Sequence, residues 1–246
     1  MTVFDKFADN YNEGHVKAVA MSGFKPSHFH EYKLKEVLKY LKENGLTNKK
    51  LKFLDFGCGT GSSVKYIKKY LPKTSVYGVD VSKEEIRVAK KDTKNLKDVT
   101  FASFDGSNIP FNVKFDVIFI ANVFHHIRRD KHKKVMKNIY TKLAKNGYLF
   151  IFELNPLNPL TLFVMYKNDF KFDKSANALI PFYTKKLLSS VGFSNIKVTY
   201  TIFFPQFLSI LMPLEKYVRW LPLGAHYFYV AKKPHGRYND FHGEAY

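Results

Sequence analysis

Three glycines at alternate positions, Gly57, Gly59 and Gly61, follow the apolar run LKFLDF and precede a helical pattern, with Asp55 just before them. Glycine tolerates positive φ and has no Cβ. A turn of this kind between a strand and a helix therefore lets backbone amides approach a bound molecule closely. A dinucleotide site would space its glycines G-x-G-x-x-G and set a pyrophosphate on the helix amides. Here the third glycine comes early, and a carboxylate beside the loop suits a ligand carrying an ammonium group. Asp80 closes SVYGVD, where an acid can accept from both hydroxyls of a ribose. Asp105, in FASFDGSNIPF, is placed to accept from an adenine amino group. Asn122, His125 and His126 follow FDVIFIA, and Glu153 and Asn155 end YLFIFEL. A hydroxyl acceptor must lose a proton, so His126 is the first candidate base and His125 the second, with Glu153 and Asn155 able to bind or deprotonate an acceptor. Cys58, between two glycines, reads as a small space-filler.

These residues need a frame that brings them to one edge. Leu34, Val37, Leu38 and Leu41 recur at helical spacing in residues 29–44, and Asn44-Gly45 is a stop signal. LKFLDF reads as a buried strand. Val64, Ile67 and Leu71 mark the next helix, SVYGVD a second strand, and Ser82 with Glu85 a capping box. VTFAS, FDVIFIA and YLFIFEL give three further strands, with a helix over 130–145 ending at Asn146-Gly147. After a proline-rich stretch, 155–183, come a helix from Thr184, a strand IKVTYTIFF, an apolar segment and a strand HYFYVAKK. Strands written as apolar runs and alternating with helices predict a parallel sheet covered on both faces, with its ligand outside the strands' carboxyl ends.

LDFGCGTG, VYGVDVS, FASFDGSNIPF and FDVIFIANVFHHI, in that order, resemble the class I S-adenosylmethionine-dependent methyltransferases over about residues 30–155. The resemblance implies an α/β fold, a three-layer α/β/α with a seven-stranded mostly parallel sheet of order 3-2-1-4-5-7-6, the seventh strand antiparallel. It implies S-adenosyl-L-methionine as cofactor, with Gly57, Cys58, Gly59 and Gly61 along the methionine part and Asp80 with Val81 at the ribose. Asp105 and Gly106 would meet the adenine, Asp55 the ammonium group, and Asn122 the region of the sulfonium. FDKFADNY and HFHEYK resemble the small-molecule branch that includes quinone-ring methyltransferases, whose N-terminal helices close over the cofactor. Tyr11 and Tyr32 are the lid residues this implies. The later portion is similar to bacterial methyltransferases encoded among cell-envelope polysaccharide genes, which points to a sugar or lipid-linked acceptor beside the quinone that the small-molecule branch implies, with O-methylation favoured.

The organisation expected is a single domain over 1–231, with a helical lid at 1–46, substrate-side insertions at 155–183 and 203–225, and a polar tail at 232–246. A single cysteine excludes a disulfide framework and fits a reducing, cytoplasmic setting. No secretory signal is legible, and prolines and charges interrupt the two most apolar stretches before a bilayer is spanned. FLSILMPLEKYVRWL is expected as an apolar lid or a membrane-touching patch, or buried against the sheet or a second subunit. The net charge of +19 comes from 35 lysines and 5 arginines spread over several helices. Arginine forks favour phosphate and base edges, so nucleic acid is not the expected partner; RNA modification is kept as an alternative, as is a non-catalytic binding module. No metal site is expected: His28 and His30 are read as lying on a loop without partner ligands.

Overall fold

The computed structural model describes residues 23–167 and 177–235. Helix α1, Pro26–Glu43, precedes strand β1, Lys52–Phe56. There follow α2 (Ser62–Tyr70), β2 (Ser75–Asp80), α3 (Lys83–Asp92), β3 (Val99–Ser103) and β4 (Phe115–Ala121). A 3-10 turn, Phe124–His126, leads to α4 (Arg129–Lys142) and β5 (Leu143–Leu154). Helices α5 (Pro159–Lys167) and α6 (Pro181–Ser190), strand β6 (Ser194–Thr201), a 3-10 stretch over Gln206–Leu214 and β7 (His226–Lys232) complete the described chain.

The seven strands form one sheet in the order β3-β2-β1-β4-β5-β7-β6, as the resemblance implies. All pairings from β3 to β5 are parallel, and β7 runs antiparallel to both neighbours. Residues alternate faces along each strand. Phe53, Val117, Phe119, Phe150 and Phe152 pack beneath α1, α2 and α3, while Leu54, Ile118, Ile120, Leu149 and Ile151 pack against α4 and α6. Both faces are therefore buried, which is why the strands read as continuous apolar runs. Chain order reverses between β1 and β4, so the carboxyl ends of these two strands diverge into separate loops and leave a crevice.

Several boundaries differ from the sequence reading, and α6 starts at Pro181 rather than at Thr184. Pro26 starts α1 early, with its fixed φ suited to the first helical turn, so His28 and His30 are helical rather than in a loop. Helix α4 ends at Lys142, and Asn146-Gly147 lies inside β5, at the irregular start of its pairing with β4. Strand β6 stops at Thr201, because Ile202 turns to φ 61° and its N–H donates to the Glu215 carboxylate. Among the described residues no helix is long and apolar enough to cross a membrane. The 203–225 segment leaves Phe207, Ile210, Tyr217 and Trp220 exposed rather than burying them against the sheet. Tyr11, and 236–246 of the tail, lie outside the described residues.

Candidate active site

The carboxyl ends of β1, β2 and β4 open onto a cleft of about 470 Å³. Asp55, Gly57, Cys58 and Gly59 line it from β1 and its loop. Asp80 and Val81 line it from β2, Gly106 from the turn after β3, and Asn122 and His126 from the exit of β4.

Backbone geometry shapes the loop. Gly57 takes φ 74°, and its N–H and that of Cys58 both donate to Val79 O, at 2.8 and 3.0 Å. A Cβ at Gly57 would stand 2.4 Å from Val123 Cγ2, so only glycine lets the loop lie against the exit of β4. Asp80 then fixes the loop: its Oδ2 accepts from Gly59 N–H at 2.9 Å and its Oδ1 from Ser82 N–H at 3.0 Å. These two bonds hold the carboxylate against the loop and the start of α3. Ser82 caps α3 by accepting from Glu85 N–H at 3.2 Å, as its spacing predicts.

Two acceptors in the cleft are buried without a hydrogen-bond donor, Asp55 Oδ2 and Asn122 Oδ1. Burial, and then the nearby Asp80 charge, push the Asp55 carboxyl up to about 7 against the opposing pull of Lys33. Such a group gains most from an incoming cation. Burial also pushes the Cys58 thiol well up, which keeps it protonated and non-nucleophilic and agrees with its reading as a filler.

Other expected site residues sit elsewhere. Gly61, at φ 76°, is the left-handed entry to α2, where a Cβ would crowd Ala89 and Phe101; it shapes the turn from behind and is not among the cleft-lining residues. The Asp105 carboxylate closes its own turn by accepting from Ser107 N–H, Asn108 N–H and the Asn108 amide, and it too does not line the cleft. His125 is buried, with Nδ1 2.6 Å from Glu153 Oε2, while Glu153 Oε1 accepts from Phe124 N–H at 2.9 Å. Neither faces the acceptor side as the sequence suggested: Glu153 braces the turn that carries His126. Asn155 is a latch, its amide donating to Pro222 O and Gly224 O. Tyr32, expected in a lid, bonds Thr201 Oγ1 and packs edge-on to Phe152.

Among the lining residues that escaped the sequence reading are Phe29, His30 and Lys33 of α1, and Glu85 of α3. Glu85 is recognisable by sequence only as half of a capping box. Lys33 had a signal, because Phe29, Lys33, Val37 and Leu41 form one buried i, i+4 stripe in which a lysine interrupts the apolar pattern. His28 stacks on Phe24. Among the described residues no three His, Cys, Asp or Glu side chains are grouped to hold a metal.

Asp55 gives a pH-dependent expectation. Near pH 6.5 its carboxyl is largely protonated, whereas binding a cationic ammonium group favours the carboxylate. Binding S-adenosylhomocysteine at that pH should release a substantial fraction of a proton, fading as pH rises past about 7. Calorimetry in buffers of different ionisation heat reads the proton count. Asp55→Asn should abolish this release, and an unchanged count in that variant would remove Asp55 from the ammonium contact.

Residues 54–151 match a family model described as a methyltransferase domain. The chain is 28% identical over 113 residues to malonyl-acyl-carrier-protein O-methyltransferase of Bacillus cereus, covering 46% of this chain and 41% of that one. It is 32% identical over 108 residues to demethylmenaquinone methyltransferase of Thermotoga maritima, covering 44% and 45%. The matches thus span less than half the length of these curated relatives. Among solved structures, phosphoethanolamine N-methyltransferase 2 of Haemonchus contortus, in complex with S-adenosyl-L-methionine, aligns with a TM-score of 0.64 at 18% identity, over 95% of this chain and 60% of that one. S-adenosylmethionine fits the groups found here: Asp55 Oδ2 and Asn122 Oδ1 await a donor, Asp80 lines the same cleft, and the glycine loop leaves the backbone bare. Strand order and matched segment agree: residues 54–151 are similar to the methyltransferase domain family, and the sheet has the class I methyltransferase order.

Proposed function

We propose that the protein moves a methyl group from S-adenosylmethionine to a hydroxyl of a small-molecule acceptor, with His126 as the general base. The observation that carries this reading is the division of labour between adjacent histidines. His125 is buried and tied to Glu153, whereas His126 lines the cleft beside Asn122, its ring 4.0 Å from that of His125 and tilted by 45°. The bound cofactor supplies an electrophilic methyl group on a good leaving group, so the protein's share is orientation, a dry wall and removal of one proton. Phe29, Tyr66, Phe104 and Ile127 supply apolar wall around the cleft. The His126 N–H donates to Val123 O at 3.0 Å, and Glu153 fixes the turn from the other side through Phe124. The imidazole is thereby held on a short, braced segment.

An acceptor with an apolar portion, such as a quinol or a lipid-linked sugar, is favoured by the exposed rings and aliphatic chains of 206–223. Phe207 is 78% exposed and Ile210 85%. The quinone acceptor named for the Thermotoga relative is of the same character.

His126→Ala should lower turnover on a hydroxyl acceptor by about a hundredfold or more while leaving S-adenosylhomocysteine affinity near that of the wild type. Transfer of labelled methyl to a panel of quinol, sugar and lipid-linked hydroxyls, followed by the same assay on the variant, is the test. Wild-type turnover by His126→Ala would remove it as the base. Absence of transfer to every hydroxyl, with transfer to amines, would overturn O-methylation.

A further inference from the structure

Lys33 is a charged side chain in the buried stripe of α1, only 4% exposed, and it lines the cleft together with Asp55 and Asn122. Its charge is faced by Asp55 and Glu153, but it makes no hydrogen bond among the described residues. Both Glu153 oxygens are already engaged, by Phe124 N–H and His125 Nδ1. Three ammonium donors thus lie in the same cleft as two acceptors that lack donors, Asp55 Oδ2 and Asn122 Oδ1.

Buried acceptors without donors are costly, and one ligand with the opposite pattern satisfies them and the lysine ammonium in the same cleft. That pattern is an α-amino-acid zwitterion: an ammonium group for Asp55 and Asn122, a carboxylate for the lysine. We propose that Lys33 holds the carboxylate of the cofactor's amino-acid end, so that the cleft reads the whole zwitterion and ties α1 to the bound ligand. This rests on the S-adenosylmethionine reading of the cleft, in which Asp80 and the glycine loop take the nucleoside. A role for Lys33 as a base is the weaker alternative. Burial lowers its ammonium to about 8, and the two facing carboxylates keep it from falling further, so near neutral pH it is a donor with no lone pair to offer. The coupling to α1 follows from its place in the stripe: Phe29, one turn earlier, stacks on His226 at 5.5 Å, so Lys33 is fixed to the same packed face.

The test compares S-adenosylhomocysteine with its decarboxylated analogue, which keeps the ammonium group, by calorimetric titration. Wild type should prefer the carboxylate-bearing ligand by about ten- to a hundredfold. Lys33→Met should reduce that preference to roughly twofold or less by weakening S-adenosylhomocysteine alone, and Lys33→Arg should retain most of it. Lys33→Gln carries the same comparison should the methionine variant fold poorly. Hydrogen exchange supplies a readout that a packing role would not move: amides of α1 should be slowed by S-adenosylhomocysteine and far less by the analogue. A wild-type preference near one, or an unchanged preference in Lys33→Met or Lys33→Gln, overturns the assignment and leaves the cofactor reading intact. Wild-type protein that binds neither ligand overturns both.

Discussion

Asp80→Ala is expected to weaken S-adenosylhomocysteine binding by about a hundredfold, a change of roughly 2.7 kcal/mol. The side chain acts twice. It is the acid proposed for the ribose, and it accepts from Gly59 N–H and Ser82 N–H, so truncation releases the glycine loop and the start of α3 together. Each buried N–H left without a partner costs about 1–3 kcal/mol, which loosens the loop before any ligand arrives. The loss should therefore exceed the effect of a single ribose contact. Asp80→Asn keeps one acceptor oxygen and should fall between wild type and alanine. Calorimetric titration alongside thermal melts separates the two contributions. Affinity within twofold of wild type in Asp80→Ala would contradict both roles.

Gly57→Ala should be at least as damaging, by a different route. An alanine at φ 74° adopts a left-handed backbone at a cost of about 1–2 kcal/mol. Its Cβ would also meet Val123 Cγ2 at 2.4 Å and Cγ1 at 2.9 Å. Val123 sits between Asn122 and the turn carrying His126, so its displacement reaches both lining side chains. The crowding adds about 1–3 kcal/mol, and the sum should lower the melting temperature by roughly 5–15 °C in a chain of this size. S-adenosylhomocysteine binding should fall by about a hundredfold or more, since the loop cannot both accommodate the Cβ and lie against β4. Gly45→Ala is the matched control: Gly45 has φ 67°, but its Cβ would meet nothing within 4 Å. That variant should show the backbone cost in its melt and bind normally.

How far the sequence led depends on how local each cause is. The parallel strands were readable because a strand buried on both faces is written as an unbroken apolar run, as in FDVIFIA and YLFIFEL. The glycine loop was readable because its left-handed backbone demands a particular residue type, and Asp80 because it ends a strand. Orientation was not readable. Asp105 lies where the motif places it, yet its carboxylate turns back on Ser107 and Asn108, and nothing in FDGSN distinguishes an acid closing its own turn from one facing a ligand. Glu153 ends β5 as expected but points under the β4 turn, a choice set by His125 across the sheet edge. Lys33 reaches the cleft only because α1 packs on the sheet with its first two turns beside the glycine loop, which is a tertiary fact. Its sole local trace is a lysine where the stripe of Phe29, Val37 and Leu41 calls for an apolar residue.

The bare loop between β1 and α2 and the carboxylate at the end of β2 are proposed to hold the adenosyl cofactor. Calorimetric titration of S-adenosylhomocysteine into wild type, Gly57→Ala and Gly45→Ala, side by side, tests this most directly. Saturation at one ligand per chain is expected for wild type and Gly45→Ala, and affinity weakened by about a hundredfold or more for a folded Gly57→Ala. Equal binding by all three, or none by the wild type, would contradict it.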